Sequence, residues 1–316
     1  MGEFELIERF FKRPAKRNAL GVGDDCALLQ PAPGMQLALS TDMLVEGRHF
    51  LSTVDPFKLG HKALAVNLSD LAACGASPLA FSLALALPRV DEAWLEAFSR
   101  GLFALADAHH CELVGGDTTQ GPLNICITVS GEVPKGGALL RSGARAGDDI
   151  YVSGKLGDAR LALEVFRGRL TLPSAAFEAA RARLELPAPR IALGLALRGI
   201  ATSAIDISDG LVGDLGHVLE QSGVGACIET TAAMGLLATP ALPDETVLDL
   251  VLAGGDDYEL LFTAPVSARG SVQTAAAAAA TPVTRIGAIL AEPGLQLVDA
   301  SGAPVRRRFA SFDHFA

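Results

Sequence analysis

Helical and strand-like hydrophobic patterns alternate along almost the whole chain. Phe4, Ile7 and Phe10 recur at helical spacing, and the same period predicts a longer helix from Phe57 to about Cys74. Asp91 is typical of the residue that caps the start of a further helix. This alternation favours an α/β (α+β) fold. Strands are predicted in the first half at residues 26–30, 36–42, 78–87, 111–114 and 123–133.

The alternation continues in the second half, after a polar segment that carries two glycines. That segment runs from Arg141 to Asp148, and the apolar run Ile150–Val152 follows it directly. Such a break is typical of a domain boundary. We therefore predict two domains, residues 1–148 and 149–316. Beyond the break, helices are predicted near residues 158–166, 175–184, 191–198, 209–221 and 275–280, and strands near 150–152, 203–207, 226–230 and 258–263.

The charge balance excludes one class of partner. Lysine and arginine together number 26 against 36 aspartates and glutamates, which gives a net charge of −10. A surface for nucleic acid would need a basic excess, so no nucleic-acid partner is expected. The five cysteines are widely spaced and form no C-x-x-C pair, which indicates neither a disulfide framework nor a zinc site.

The N-terminal residues and the apolar runs predict the cellular location. The first ten residues are acidic where an export signal needs a basic segment followed by an apolar one. Charges, glycines or prolines interrupt each apolar run before it reaches the length of a bilayer crossing. A cytoplasmic protein with no membrane contact is therefore expected.

Aspartates recur at predicted turns and strand ends, each beside glycine or a hydroxyl residue. Loops at the ends of buried strands are where α/β proteins assemble their sites, and small neighbours let several carboxylates approach one point. Ser40 and Asp42 would share one side of a strand, and Asn67 and Asp70 one face of a helix. The segments are Gly23–Asp25, Ser40–Asp42, Asn67–Asp70, Gly115–Thr118, Asp206–Gly210 and Gly254–Asp257.

Any one of these aspartates also has a structural interpretation. Aspartate is common at turns and helix starts, and Asp209 would then be the first-turn acid of a helix capped by Ser208. Convergence of several would require a cation. Two carboxylates about 4 Å apart repel by roughly 1 kcal/mol in water and about 4 kcal/mol at an effective dielectric of 20. Carboxylate and hydroxyl oxygens without a cysteine or histidine cluster suit Mg²⁺.

Other phosphate-binding devices are absent or weak in the sequence. No G-x-x-x-x-G-K-[ST] segment occurs, which excludes the P-loop class. Gly154 to Gly157 follows a strand-like run but lacks the G-x-G-x-x-G spacing of a dinucleotide turn. We interpret it as an ordinary strand-to-helix turn.

Taken in order, the motifs resemble the thiamine-monophosphate kinases, a family related to aminoimidazole ribonucleotide synthetase and selenophosphate synthetase. The resemblance runs nearly end to end. The reactive cysteine expected near the start of a selenophosphate synthetase is not present. The segments that carry the resemblance are GEFELIERFF, GVGDDCALL, LALSTDMLVEGRHF, HKALAVNLSDLAACGA, ELVGGDTTQGPL, LLRSGARAGDDIYVSG, SAIDISDGLVGDLGH, GGDDYELLFT and FDHFA.

The resemblance implies transfer of phosphate from ATP to thiamine monophosphate, giving thiamine diphosphate and ADP. It also implies a homodimer in which the N-terminal sheets form a barrel and a C-terminal α/β domain closes the active-site cleft. Several Mg²⁺ ions would be held by Asp25, Ser40, Thr41, Asp42, Asp70, Asp117, Asp206 and Asp209. The residues expected to be catalytic are Asp42, Asp70, Asp117 and Asp209.

The resemblance also assigns the two substrates. ATP would contact Gly116, Asp117, Arg141 and Ser208, and thiamine phosphate would contact His49, Asp256 and Phe312. Two of the substrate contacts have a structural alternative: a lone histidine is as often structural, and a C-terminal aromatic residue often docks the tail. The chain departs from the family at Asp256, where we expect glutamate. A carboxylate shorter by one methylene would reach the thiamine ring less well.

The residue types agree with this chemistry. A phosphate monoester is already mostly ionised at neutral pH, so the attacking oxygen requires no catalytic base. The protein must align two polyanions and spread the charge on the γ-phosphoryl group, which suits metal ions and a cation such as Arg141. Two alternatives remain: another ATP-using relative, such as the purine-pathway cyclo-ligase, and a non-catalytic nucleotide or thiamine-phosphate binding protein.

Overall fold

The structure, a computed structural model, describes residues 2–17, 20–239, 242–307 and 309. It contains two compact units, which we call the N-terminal unit (residues 1–71 and 76–136) and the C-terminal unit (residues 72–75 and 137–316). The division into domains at residues 148 and 149 stays a prediction. In the described part of the chain, no helix is long and apolar enough to cross a membrane.

The N-terminal unit is built on a four-stranded sheet of order β1-β4-β2-β3. β4 runs antiparallel to both β1 and β2, whereas β2 and β3 are parallel. β1 and β3 are therefore the two edge strands. In chain order the elements are α1 (Glu3–Phe10), β1 (Met35–Val45), α2 (Pro56–Ala73), β2 (Ser77–Leu87), α3 (Glu92–Ala108), β3 (Glu112–Gln120) and β4 (Asn124–Pro134).

Close packing of α2 against α3 forms the core beside this sheet. A Cβ atom at Gly101 would lie 1.8 Å from the carbonyl oxygen of Phe57, and one at Gly60 would lie 2.0 Å from that of Phe98. Only glycine permits so near an approach of two helix backbones. The side chain of Asp91 accepts the N–H of Trp94, which confirms the predicted cap of α3.

The C-terminal unit is built on a six-stranded sheet of order β10-β7-β9-β5-β8-β6. All neighbours are antiparallel except β10 and β7. The strands are β5 (Asp149–Ser153), β6 (Ser203–Asp206), β7 (Gly225–Glu229), β8 (Leu260–Ala264), β9 (Val283–Leu290) and β10 (Gly294–Val298). The helices are α4 (Asp158–Phe166), α5 (Ser174–Glu185), α6 (Ile191–Leu197), α7 (Leu211–Ser222), α8 (Thr230–Met234), α9 (Asp244–Ala253) and α10 (Arg269–Ala278), with a 3₁₀ turn at Val266–Ala268.

Most predicted elements are confirmed, and three predictions about them need correction. Residues 26–30 form no strand; Leu28 makes only an isolated bridge with Leu20. The helix predicted from Asp209 begins at Leu211 instead. The alanine-rich helix begins at Arg269, earlier than predicted. Four further elements, α8, α9, β9 and β10, were not predicted from the sequence.

Candidate active site

A cavity of about 680 Å³ in the N-terminal unit brings together two of the aspartate segments. Asp24 and Asp25 line it from the loop before β1, and Gly116 and Asp117 line it from the middle of β3. Its size falls in the range of small-molecule sites. Side chains from α1, including Phe4 and Ile7, add an apolar wall. The cavity thus joins carboxylates and apolar surface in one space.

Gly116 occupies a backbone position that no other residue fills without strain. Its φ is +147°, and a Cβ atom there would lie 1.8 Å from the carbonyl oxygen of Leu83 on β2. The backbone of β3 can therefore press against β2 directly before Asp117. The close approach explains the glycine at position 116. It does not explain the one at 115, where a Cβ atom would meet nothing within 4 Å.

A second group of predicted residues links β1 to α2. The hydroxyl of Ser40 donates a hydrogen bond of 2.5 Å to Oδ2 of Asp70. The N–H of Asp42 donates to Oδ1 of Asn67 at 3.0 Å, and the Asn67 side-chain amide in turn donates to the carbonyl of Ala63. Asn67 is buried, so these contacts fix the end of β1 against the helix. Ser40, Asp42 and Asp70 are thereby brought together as the sequence predicted.

Thr41 lies between these residues on the strand, so its side chain points to the other face of the sheet. Its hydroxyl is 2.8 Å from that of Thr128 on β4. The hydroxyl of Thr41 therefore does not share the face that carries Ser40 and Asp42.

His49 lies in the turn that follows β1. Its ring Nδ1 accepts the backbone N–H of Val45 at 3.0 Å. The backbone N–H of His49 in turn donates to the carbonyl of Val45. Because Nδ1 is an acceptor, the neutral ring carries its proton on Nε2. The side chain thus has a fixed tautomer and is partly exposed.

In the C-terminal unit, Asp206 is the last residue of β6 and is buried. Ser208 and Asp209 follow in a turn that precedes α7, whose N-cap is Gly210 with φ +111°. The structural interpretation of Asp209 as a first-turn helix acid capped by Ser208 is therefore wrong. Both side chains belong to the turn and are partly exposed.

The first-turn acid of α7 is Asp214, a residue the sequence analysis did not assign. Its Oδ2 accepts the N–H of Ser208 at 3.0 Å and that of Asp209 at 3.1 Å. Burial raises the pKa of Asp214 to about 7, although the backbone N–H groups that it accepts act in the opposite direction. The signal that could have identified it is an aspartate four residues after the glycine that precedes the helix.

The Gly254–Asp257 segment lies against the same turn. The N–H of Asp256 donates to the carbonyl of Ser208 at 2.9 Å, and the N–H of Tyr258 donates to the carbonyl of Ile207 at 2.8 Å. A Cβ atom at Gly255 would lie 2.3 Å from the same carbonyl oxygen of Ser208. The close approach explains why glycine stands at position 255.

Asp256 has a backbone conformation that L-residues seldom adopt. Its φ is +67°, and Tyr258 also has positive φ, at +51°. The Tyr258 hydroxyl donates to Oδ1 of Asp256 at 3.2 Å. Non-glycine residues with positive φ cost free energy, and they cluster at functional sites. The backbone conformation that orients the Asp256 carboxylate thus costs free energy of folding.

Asp257 faces the opposite side of this segment. Both of its carboxylate oxygens accept the N–H of Gly157 at 3.0 Å, at the turn that enters α4. Burial of its carboxyl group raises the pKa of Asp257 well above its ordinary value. Gly154 to Gly157 is confirmed as a strand-to-helix turn, and the carboxylate of Asp257 holds it at Gly157.

Two further predicted site residues are Arg141 and Phe312. Arg141 is exposed in the loop before β5, where its carbonyl accepts the hydroxyl of Ser222 at 3.2 Å. Phe312 lies outside the described residues. Within the described ranges, no three His, Cys, Asp or Glu residues are close enough to hold a metal ion by themselves.

Comparison with known sequences gives a matching family model and relatives over the full length. Residues 23–133 match the family model described as AIR synthase related protein, N-terminal domain. A thiamine-monophosphate kinase of Salmonella typhimurium strain LT2 is 47% identical over 321 residues, covering all of this chain and 98% of the relative.

Two solved structures share the fold over nearly the full length. The thiamine-monophosphate kinase of Stenotrophomonas maltophilia K279a is 43% identical, with a TM-score of 0.85 and 96% of each chain covered. The protein AaThiL, solved in complex with AMPPCP and TMP, is 31% identical, with a TM-score of 0.76, covering 93% of this chain and 92% of its own. With identities of this size over whole chains, the protein belongs to the thiamine-monophosphate kinase family.

Proposed function

We propose that this chain phosphorylates thiamine monophosphate with ATP, forming thiamine diphosphate and ADP by direct in-line transfer. The observation that carries the proposal is the cavity in the N-terminal unit, where Asp25, Gly116 and Asp117 meet. A solved relative in this family, AaThiL, is in complex with AMPPCP and TMP. A carboxylate-lined cavity of this size suits a metal-bound triphosphate.

The donor atoms of the cavity fit Mg²⁺. The described residues that line it include Asp24, Asp25, Asp117 and Thr118 but neither cysteine nor histidine, so its donors are hard oxygens. Mg²⁺ keeps several waters and is usually shared with substrate phosphates, so a few carboxylates together with the triphosphate would hold it. When bound, the ions would neutralise the triphosphate and withdraw charge from the γ-phosphoryl group.

The protein's own residues would align the two phosphates. The second pKa of a phosphate monoester is near 6, so the attacking oxygen is already ionised at pH 7 and no general base is needed. The site residues fit this requirement, because carboxylates and hydroxyls dominate among them. Catalysis would then depend on position and charge.

The residue roles form part of the proposal. Ser40 and Asp42 on β1 are suited to metal ligation together with Asp70 on α2, because hydrogen bonds hold that face of the strand against the helix. The metal ligands are proposed to be Asp25, Ser40, Thr41, Asp42, Asp70, Asp117, Asp206 and Asp209; Thr41 would ligate through its backbone carbonyl, since its hydroxyl lies on the other face of the sheet. ATP is assigned to Gly116, Asp117, Arg141 and Ser208, and thiamine phosphate to His49, Asp256 and Phe312.

Assembly as a homodimer through the N-terminal sheet is proposed from β1. This edge strand carries four large apolar side chains on one face, Met35, Leu37, Leu39 and Met43, which are between 37% and 68% exposed. An eleven-residue edge strand with such a face invites pairing. A second copy of the sheet would cover it, in the barrel that the family resemblance implies.

The domain roles and the cellular location complete the proposal. Residues 1–148 would bind ATP and Mg²⁺ and form the dimer, and residues 149–316 would close the active-site cleft. A cytoplasmic enzyme without nucleic-acid or membrane partners agrees with the net charge of −10.

The decisive experiment supplies purified protein with ATP, Mg²⁺ and thiamine monophosphate and measures thiamine diphosphate and ADP in equal amounts. The substrate of the purine-pathway cyclo-ligase serves as a parallel acceptor. Product from that substrate alone would replace the kinase by a related ligase. Binding of both nucleotide and thiamine phosphate without turnover would indicate a binding protein.

A further inference from the structure

The turn formed by residues 207–210 is held by an acid outside it. The carboxylate of Asp214 accepts the N–H groups of both Ser208 and Asp209 through the same oxygen, Oδ2. Asp214 is buried in the first turn of α7, one helical turn after Gly210, whose carbonyl accepts the N–H of Asp214. Asp214 is therefore fixed on a helix, whereas the N–H groups that it accepts belong to a turn.

Ser208 is held at both of its backbone polar groups. Its N–H donates to Asp214 and its carbonyl accepts the N–H of Asp256. Removing the carboxylate would leave the N–H groups of Ser208 and Asp209 without this acceptor, while the hydrogen bonds from Tyr258 and Asp256 to the carbonyls of the turn would remain. A part-buried donor that loses its acceptor costs free energy, so the backbone at Ser208 and Asp209 would shift toward another conformation.

We infer that Asp214 is a positioning residue: its carboxylate fixes the turn from which Ser208 would contact ATP and Asp209 a metal ion. This inference rests on the proposed function, because those two roles belong to it. Asp214 itself is assigned to neither substrate and would act through Ser208 and Asp209. Two hydrogen bonds to one buried oxygen make the position of both side chains depend on a residue five to six positions further along the chain.

A purely structural role is the alternative, and the chain contains a matched control for it. Asp158, in the same unit, is also buried in the first turn of a helix, and it accepts the N–H groups of Ala238 and Thr239 at 3.0 and 3.2 Å. Its partners belong to a loop to which no site residue is assigned. Loss of either carboxylate should cost stability, but only loss of Asp214 should change the binding of ATP.

The experiment measures the Kd of a non-hydrolysable ATP analogue with Mg²⁺ by calorimetry, and the Tm of each protein without ligand. The proteins are wild type, Asp214→Ala, Asp214→Asn and Asp158→Ala. Asp214→Ala is expected to weaken binding at least about tenfold. Asp214→Asn retains an amide oxygen that can accept both N–H groups, so it should recover most of the affinity. Asp158→Ala should lower Tm but bind as wild type does.

Steady-state kinetics on the same proteins should show a matching rise in KM for ATP in Asp214→Ala alone. If Asp214→Ala does not fold, Asp214→Ser, whose hydroxyl is too short to reach the amides, replaces it. Wild-type affinity in the folded variant, or equal weakening in Asp158→Ala, would overturn the inference. Failure of the wild type to form thiamine diphosphate would instead reject the proposed function, which separates the two failures.

Discussion

The hydroxyl of Ser40, on strand β1, donates a 2.5 Å hydrogen bond to the carboxylate of Asp70, near the end of helix α2. Strand and helix thus present a hydroxyl and a carboxylate together. The bond fixes the orientation of the Asp70 carboxylate before any ligand binds. Residues that orient a metal-binding carboxylate typically affect activity strongly.

Substitution of Asp70 by asparagine should lower kcat by about 100-fold or more, because one ligand charge is lost while the shape is retained. Steady-state assays at saturating Mg²⁺ check this. Asp55→Asn is the matched control, since Asp55 caps the other end of α2 by accepting the N–H groups of Phe57 and Lys58. Equal activity in the two variants would show that Asp70 has no catalytic role.

Removal of divalent metal should abolish ATP binding. The cavity that holds Asp24, Asp25 and Asp117 would repel a triphosphate without cations between them. Calorimetry with an ATP analogue in excess EDTA should show no heat of binding, and added Mg²⁺ should restore it. Tight binding in EDTA contradicts a metal-bridged nucleotide.

Gly116→Ala should destabilise the N-terminal unit and reduce ATP affinity. The new Cβ would overlap the carbonyl oxygen of Leu83. The φ of +147° at position 116 is also strained for alanine, at a cost of about 1–3 kcal/mol or more. Gly115→Ala is the control, because its Cβ would meet nothing within 4 Å. Thermal unfolding should show a lower Tm for Gly116→Ala only.

Leu39→Lys should weaken dimerisation by at least about tenfold, since it places a charge in the apolar face of β1. Sedimentation over a range of concentrations measures the association. Val90→Lys, an exposed apolar residue outside that face, should leave the dimer intact. A wild-type protein that is monomeric at all concentrations rules out the proposed interface.

Asp149 should make stability depend on pH in the acid range. Its hydrogen bonds with Arg269, and then with Arg285, lower the pKa of Asp149 to about 2, against the effect of burial. Because the folded pKa is lowered, the stabilisation is present above about pH 4 and is lost as pH falls toward 2. Denaturant unfolding of wild type and Asp149→Asn should differ at pH 7 and converge across that window.

Local sequence patterns predicted much of this fold correctly. The helical period gave α2 and α3, and Asp91 capped α3 as expected. These features depend on neighbours within a few residues, which the sequence shows directly. The acid-bearing turns could be identified for the same reason, since aspartate beside glycine marks a turn wherever the chain later places it.

Which turns meet was decided by the tertiary structure. Asp117 lies on β3, which pairs with β2, and Asp25 lies on the loop before β1. The two line one cavity only because that loop lies beside these two strands. Asp209 looked like a helix acid, but α7 begins two residues later and Asp214 takes that position. Hydrogen bonds between distant segments and the register of strands depend on contacts far apart in sequence, which no local periodicity records.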